Sequence, residues 1–203
     1  MLEGCVPWPE DLAARYRASG LWLGLTIFEM VERTAVRTPD KVAVVCGERR
    51  VTYAELVLSA ARLATAFHAQ GLRALDRVVV QLPNGLDFVF IYLTLTRIGA
   101  IPVMALRAHR HAEVEHFINA SGAVAYVVAD IVGNFDYRDM AAEMQAKFPA
   151  LRSVIVAGEP RARQIALRAL LDASASASAS AAPGTSAAPI PRPNPGDVAT
   201  MLL

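Results

Sequence analysis

The stretch Arg77-Val-Val-Val-Gln-Leu82 is apolar at nearly every position, not at every second one, and a strand of that kind must be covered on both faces. Comparable runs recur at Ile101–Leu106, Val124–Ala129 and Ser153–Ala157, each separated from the next by a segment of helical period. Strands alternating with helices pair in parallel, because a crossover is needed to carry the chain back to the same end of the sheet. The sequence therefore predicts an α/β fold, a mostly parallel sheet flanked by helices.

The helices carry their own boundary chemistry. Thr26-x-x-Glu29 and Thr52-x-x-Glu55 have the form of capping boxes, predicting helices from Ile27 to about Arg37 and from Thr52 through Phe67 to Gly71. Between them, Lys41–Cys46 and Arg49–Thr52 read as a hairpin turning at Gly47-Glu48. Pro83-Asn84-Gly85 leads into a helix over Leu86–Ile98 that stops at Gly99. Further helices are predicted over His111–Asn119, Arg138–Lys147 and Arg161–Asp172.

Three segments follow: a patterned unit over 1–172, an Ala/Ser/Pro-rich linker or loop over 173–196, and the start of a strand over 197–203. Alanine and serine in the tract offer little to bury, and its prolines oppose both helix and ladder. A linker that leads into an apolar run reads as a truncation. Hydrophobic residues make up 54% of the chain, enough for a sizeable core. Twenty basic residues against 19 acidic leave a formal charge of +1, which gives no field for a polyanion, so no nucleic-acid partner is expected.

Cys5 and Cys46 are too few and too far apart for a disulfide framework or a zinc site; Cys5 is expected to be unpaired and Cys46 small and buried in a strand. The N-terminus lacks the basic start and apolar run of a signal peptide, and no run of eighteen apolar residues predicts a membrane span. The expected compartment is the cytoplasm.

Glycine-rich phosphate loops, nucleophile elbows and zinc-helix motifs are absent. His111 and His116 are five apart, off the spacing that places two ligands on one helical face, and no carboxylate or cysteine completes a set with His109. Glu113 and Glu115 do not share a helical face. Pro83-Asn84-Gly85 is explained by turn chemistry, with a phosphate cradle at the following helix N-terminus as the alternative.

Thr52-Tyr-Ala-Glu-Leu56 after a Gly-Glu-Arg hairpin, then Arg77–Asn84, then Thr96-Arg-Ile-Gly-Ala-Ile-Pro-Val103, in this order resemble the opening segments of the adenylate-forming (AMP-binding) ligases. Pro102–Leu106 followed by Ala108-His109-Arg110 and Ala112-Glu113, with Tyr16-Arg17-x-x-Gly20-x-Trp22, is similar to the 2,3-dihydroxybenzoate–AMP and salicylate–AMP ligases of siderophore assembly. Arg107 departs from that pattern, where proline would stiffen the turn.

The resemblance implies the N-terminal subdomain of the adenylate-forming fold, incomplete. It implies formation of an aryl-adenylate from ATP with magnesium, then transfer of the acyl group to an aryl carrier protein. The donors and cations of such chemistry lie beyond the strand begun at 197–203, so no catalytic, cofactor-binding or metal residue is assigned, and this chain alone is expected to be inactive. His109 and Arg110 are signature positions whose expected role is to hold a loop by hydrogen bonds. The implied partners are the missing C-terminal portion of the ligase and the carrier protein. The alternatives are a non-catalytic ligase-like module docking on a separate subunit, or part of an acyl-CoA synthetase or peptide-synthetase adenylation domain.

Overall fold

The computed structural model describes residues 4–180 and 190–203. Its elements, in chain order, are α1 (Glu10–Ala18), α2 (Ile27–Arg37), β1 (Val42–Cys46), β2 (Arg49–Thr52), α3 (Tyr53–Ala69), β3 (Arg77–Gln81), α4 (Leu86–Ile98) and β4 (Ile101–Met104). They continue with α5 (His111–Ser121), β5 (Ala125–Ala129), β6 (Ile131–Val132), β7 (Phe135–Asp136), α6 (Tyr137–Lys147), β8 (Ser153–Ala157), β9 (Ile165–Ala166) and α7 (Leu167–Ser180).

Five strands form one sheet in the order β4-β3-β5-β8-β9, and every neighbouring pair is parallel. The apolar run predicted this: Val78, Val79 and Val80 in β3 and Ala125–Val128 in β5 are buried. Helices α3, α4 and α7 pack together as one layer, and α5 and α6 form the other. Burying a valine or leucine side chain contributes about 1.5–3 kcal/mol, so the central strands are the main source of stability.

Both capping boxes form. The Thr52 hydroxyl accepts from the Glu55 N–H at 3.2 Å, while the Glu55 carboxylate accepts from the Thr52 N–H at 2.8 Å. The same exchange ties Thr26 to Glu29, at 3.2 and 2.8 Å. A second apolar cluster, including Phe28, Val51, Leu56 and Phe90, pins α2 and the β1–β2 hairpin against α3 and α4.

Several expectations need correction. Cys46 is exposed, because β1 belongs to a separate two-stranded hairpin and not to the buried sheet. The final helix runs over Leu167–Ser180, not Arg161–Asp172: Ile165–Ala166 first adds the edge strand β9, and the helix continues into the alanine–serine tract. Alanine is the strongest helix former and serine costs only tenths of a kcal/mol per residue, so the chain stays helical as far as Ser180 once Leu167 and Leu170 anchor it. Residues 181–189 of the tract lie outside the described residues. Within residues 197–203, Met201 bridges to Val103, in parallel.

That bridge lies on the outer side of β4. The Met201 N–H donates to the Pro102 carbonyl at 2.9 Å, and the Met104 N–H to the Met201 carbonyl at 3.0 Å.

Candidate functional site

The first strand of the sheet in chain order, β3, lies between β4 and β5, so the connections leaving it and returning to it run to opposite sides. In such sheets a crevice opens where the carboxyl ends of the strands diverge. Gln81 stands at that point, fully buried at the end of β3.

Its amide satisfies three groups. Nε2 donates to the Leu106 carbonyl at 2.7 Å and to the His109 carbonyl at 3.0 Å, and Oε1 accepts from the hydroxyl of Tyr126, which is buried in β5. Burial pushes the Tyr126 hydroxyl pKa up, well above the ordinary tyrosine range, so it stays a donor. One side chain thus links two central strands to the loop between β4 and α5.

His109 and Arg110 lie in that loop, and the structure brings them together. The Leu106 N–H donates to His109 Nδ1 at 3.1 Å, and the imidazole meets the Phe117 ring edge-on with centroids 5.0 Å apart. The Arg110 guanidinium sits 4.0 Å from the Phe135 centroid and 5.7 Å from that of Tyr137. Its Nη1 donates to the carbonyls of Arg107 and His109, the latter at 2.8 Å. Tyr137 donates to the Arg107 carbonyl at 2.8 Å. The Arg110 N–H donates to the Glu113 carboxylate at 2.8 Å, the main reason Glu113 titrates below the usual glutamate range. These bonds, through His109 Nδ1, the Arg110 guanidinium and the Glu113 carboxylate, hold the shape of the loop.

The remaining histidines do not join it. His111 pairs with Glu143 at 2.9 Å, linking α5 to α6, and His116 lies against the far edge of Phe117. Among the described residues no group of three His, Cys, Asp or Glu could hold a metal ion. Beside the loop is an open cleft of about 470 Å³ bounded by Pro83, Asn84, Phe88, Met104, Leu106 and Arg107. The α4 N-terminus borders it, with Gly85 as an N-cap that lends no side chain, but Asp87 in the first turn already brings negative charge there.

A carboxylate centre lies beyond the loop. Asp136 accepts from Arg138 Nε and Nη2 at 2.8 and 2.7 Å and from Arg161 Nη2 at 2.7 Å. The Arg138 guanidinium, chiefly, holds its carboxyl well below the usual aspartate range. The pair joins the β6–β7 hairpin to the loop after β8. Arg138 also donates to the Glu159 carbonyl and Arg161 to the Asp139 carboxylate, so the group ties these segments together.

Sequence reasoning singled out His109 and Arg110 but missed Gln81, Tyr126 and Tyr137. The signal available for Gln81 was one amide at the end of an otherwise apolar strand, which burial obliges to find partners.

The profile of a family described as AMP-binding enzyme matches residues 31–203. The chain is 43% identical over 159 residues to a 2,3-dihydroxybenzoate-AMP ligase of Bacillus subtilis, a match covering 78% of this chain and 30% of that one. It is 48% identical over 164 residues to a salicyl-AMP ligase / salicyl-S-ArCP synthetase of Mycobacterium tuberculosis, covering 78% and 29%. The apo structure of Mycobacterium smegmatis MbtA superposes with a TM-score of 0.82 at 38% identity, over 98% of this chain and 35% of that one. The chain thus spans about a third or less of the length of the relatives it matches.

Proposed function

The chain belongs to the AMP-binding enzyme family, and from that premise we propose that it supplies the N-terminal scaffold of an aryl acid–AMP ligase of siderophore biosynthesis. The acid it serves would be 2,3-dihydroxybenzoate or salicylate, activated with ATP and passed to an aryl carrier protein. The observation that carries this reading is the identity of 43–48% to relatives named for those two acids. The likeness to MbtA, which extends over 98% of the chain, supports it.

Enzymes of this family use ATP and magnesium. The described residues do not fit a magnesium site, since no group of three His, Cys, Asp or Glu is assembled among them. No chemical step is therefore assigned to a side chain of this chain. Its contribution is to fix the sheet and the Leu106–Arg110 loop, through Gln81, against which the remainder of a ligase would be built. No helix among the described residues is long and apolar enough to cross a membrane. The compartment in keeping with this role is the cytoplasm.

ATP–pyrophosphate exchange tests the reading. The 203-residue chain alone should give no exchange above background with either acid. Mixed with a polypeptide matching the part of the B. subtilis relative that has no counterpart here, it should exchange with its aryl acid and not with acetate. Robust exchange by the chain alone would refute the assignment of a scaffold role. Exchange by the mixture that prefers a fatty or amino acid would refute the aryl specificity.

A further inference from the structure

A proline-rich strap over residues 190–198 crosses the outside of α2 and α4 before Met201 reaches the edge of β4. Ile190 packs against the main core, and beyond it the strap is held by polar contacts and one proline. Arg192 Nη1 pairs with Glu29 Oε1 at 2.9 Å and Nη2 with Glu32 Oε2 at 3.6 Å. Pro193 lies directly over Gly99: a Cβ at Gly99 would come within 2.7 Å of the Pro193 Cβ, so only glycine leaves that seat open. Asn194 then turns the chain, its side chain accepting from the Gly196 N–H at 2.8 Å and its carbonyl from the Asp197 N–H at 2.9 Å.

A second arginine waits beneath the strap. Arg97 shares the small pit with Glu29, Glu32 and Arg192, its guanidinium 5.6 Å from the Phe28 centroid. Its Nη1 is buried and has no hydrogen-bond partner among the described residues. A buried donor left idle beside two carboxylates is costly, and it is relieved once those carboxylates become available. Glu29 is also the capping-box residue of α2, so it must stay charged and satisfied whether or not the strap is down.

We propose that the strap is a releasable clasp operated by exchange of arginines. In the closed form Arg192 holds Glu29 and Glu32 and keeps Met201 on the edge of β4. In the open form Arg97 takes over the two carboxylates, α2 keeps its cap, and residues 197–203 leave the sheet together with the strap. Arg192 is two-thirds exposed, so the closed form is weakly held and yields to ionic strength. The clasp does not depend on which acid the chain serves.

Amide hydrogen exchange reads both halves of the proposal. In Arg192→Ala the Met104 and Met201 N–H groups should exchange about two- to fivefold faster, the range an exposed ion pair supports, while the Glu29 N–H stays as in the parent. In the double variant Arg97→Ala with Arg192→Ala, the Glu29 N–H should quicken as well. Adding 0.5 M salt to the parent should reproduce the first result and leave Arg192→Ala unchanged. Parent-like exchange at Met104 and Met201 in Arg192→Ala would overturn the clasp. Equal Glu29 rates in the single and double variants would overturn the takeover by Arg97.

Discussion

Replacing Gln81 by leucine removes an amide of nearly the same volume from a site with no access to solvent. Three groups lose a partner: the Tyr126 hydroxyl, deep in β5, and the carbonyls of Leu106 and His109. An unpaired buried hydroxyl costs about 1–3 kcal/mol, and each of the two lost loop bonds about 0.5–1.5 kcal/mol, so Gln81→Leu should destabilise by about 2–6 kcal/mol. Tyr126→Phe leaves only the Gln81 Oε1 unpaired and should cost about 1–3 kcal/mol. With both changes, the contact becomes apolar on each side, and the double variant should be more stable than the sum of the singles by about 1–3 kcal/mol. Urea unfolding of the four proteins closes the cycle. A double variant that is additive within about 0.5 kcal/mol would refute the argument that the amide and phenol satisfy one another.

Three further outcomes follow from local geometry. Asp136 titrates lower folded than unfolded, so its contribution is complete above the unfolded value of about 3.9 and is lost as pH falls from there toward the folded one; Asp136→Asn should be less stable than the parent at pH 7 and show a flatter fall in Tm between pH 5 and 3. Thr52→Ala removes the hydroxyl that accepts from the Glu55 N–H and should cost about 1 kcal/mol in a thermal or urea melt. Gly158→Ala, at φ +137° with a new Cβ 2.2 Å from Asp130 Oδ2, should cost about 2–4 kcal/mol, and Asp130→Ala in the same chain should recover only the part due to the clash.

What the sequence disclosed was whatever a single segment determines. The bounds of α4 could be read from Gly85 and Gly99, and both capping threonines lie where their spacing to glutamate put them. Helix α1 escaped notice because it buries little besides Ala13 and so lacks an apolar stripe. The β6–β7 hairpin was missed although Gly133-Asn134 is a two-residue turn, since its strands are only two residues each. The site divides the same way. His109 and Arg110 were found through resemblance to a family, not through any chemistry that their spacing dictates. Gln81 and Tyr126 are 45 positions apart, and no local pattern pairs them. The course of residues 190–203 depends on where Arg192 and Pro193 land, which is a tertiary matter.

Pro102 has one more effect. In a parallel strand the N–H and C=O of a given residue point to the same side, and at Pro102 that side is the outer one, where its carbonyl meets Met201. Proline has no N–H to offer there. While the chain is emerging from a ribosome, β4 is the rim of the sheet until Met201 arrives, and a foreign strand that tried to dock would find a missing donor. The residue that accepts the Met201 N–H is therefore also the one that turns strangers away, sparing the half-made sheet from aggregation.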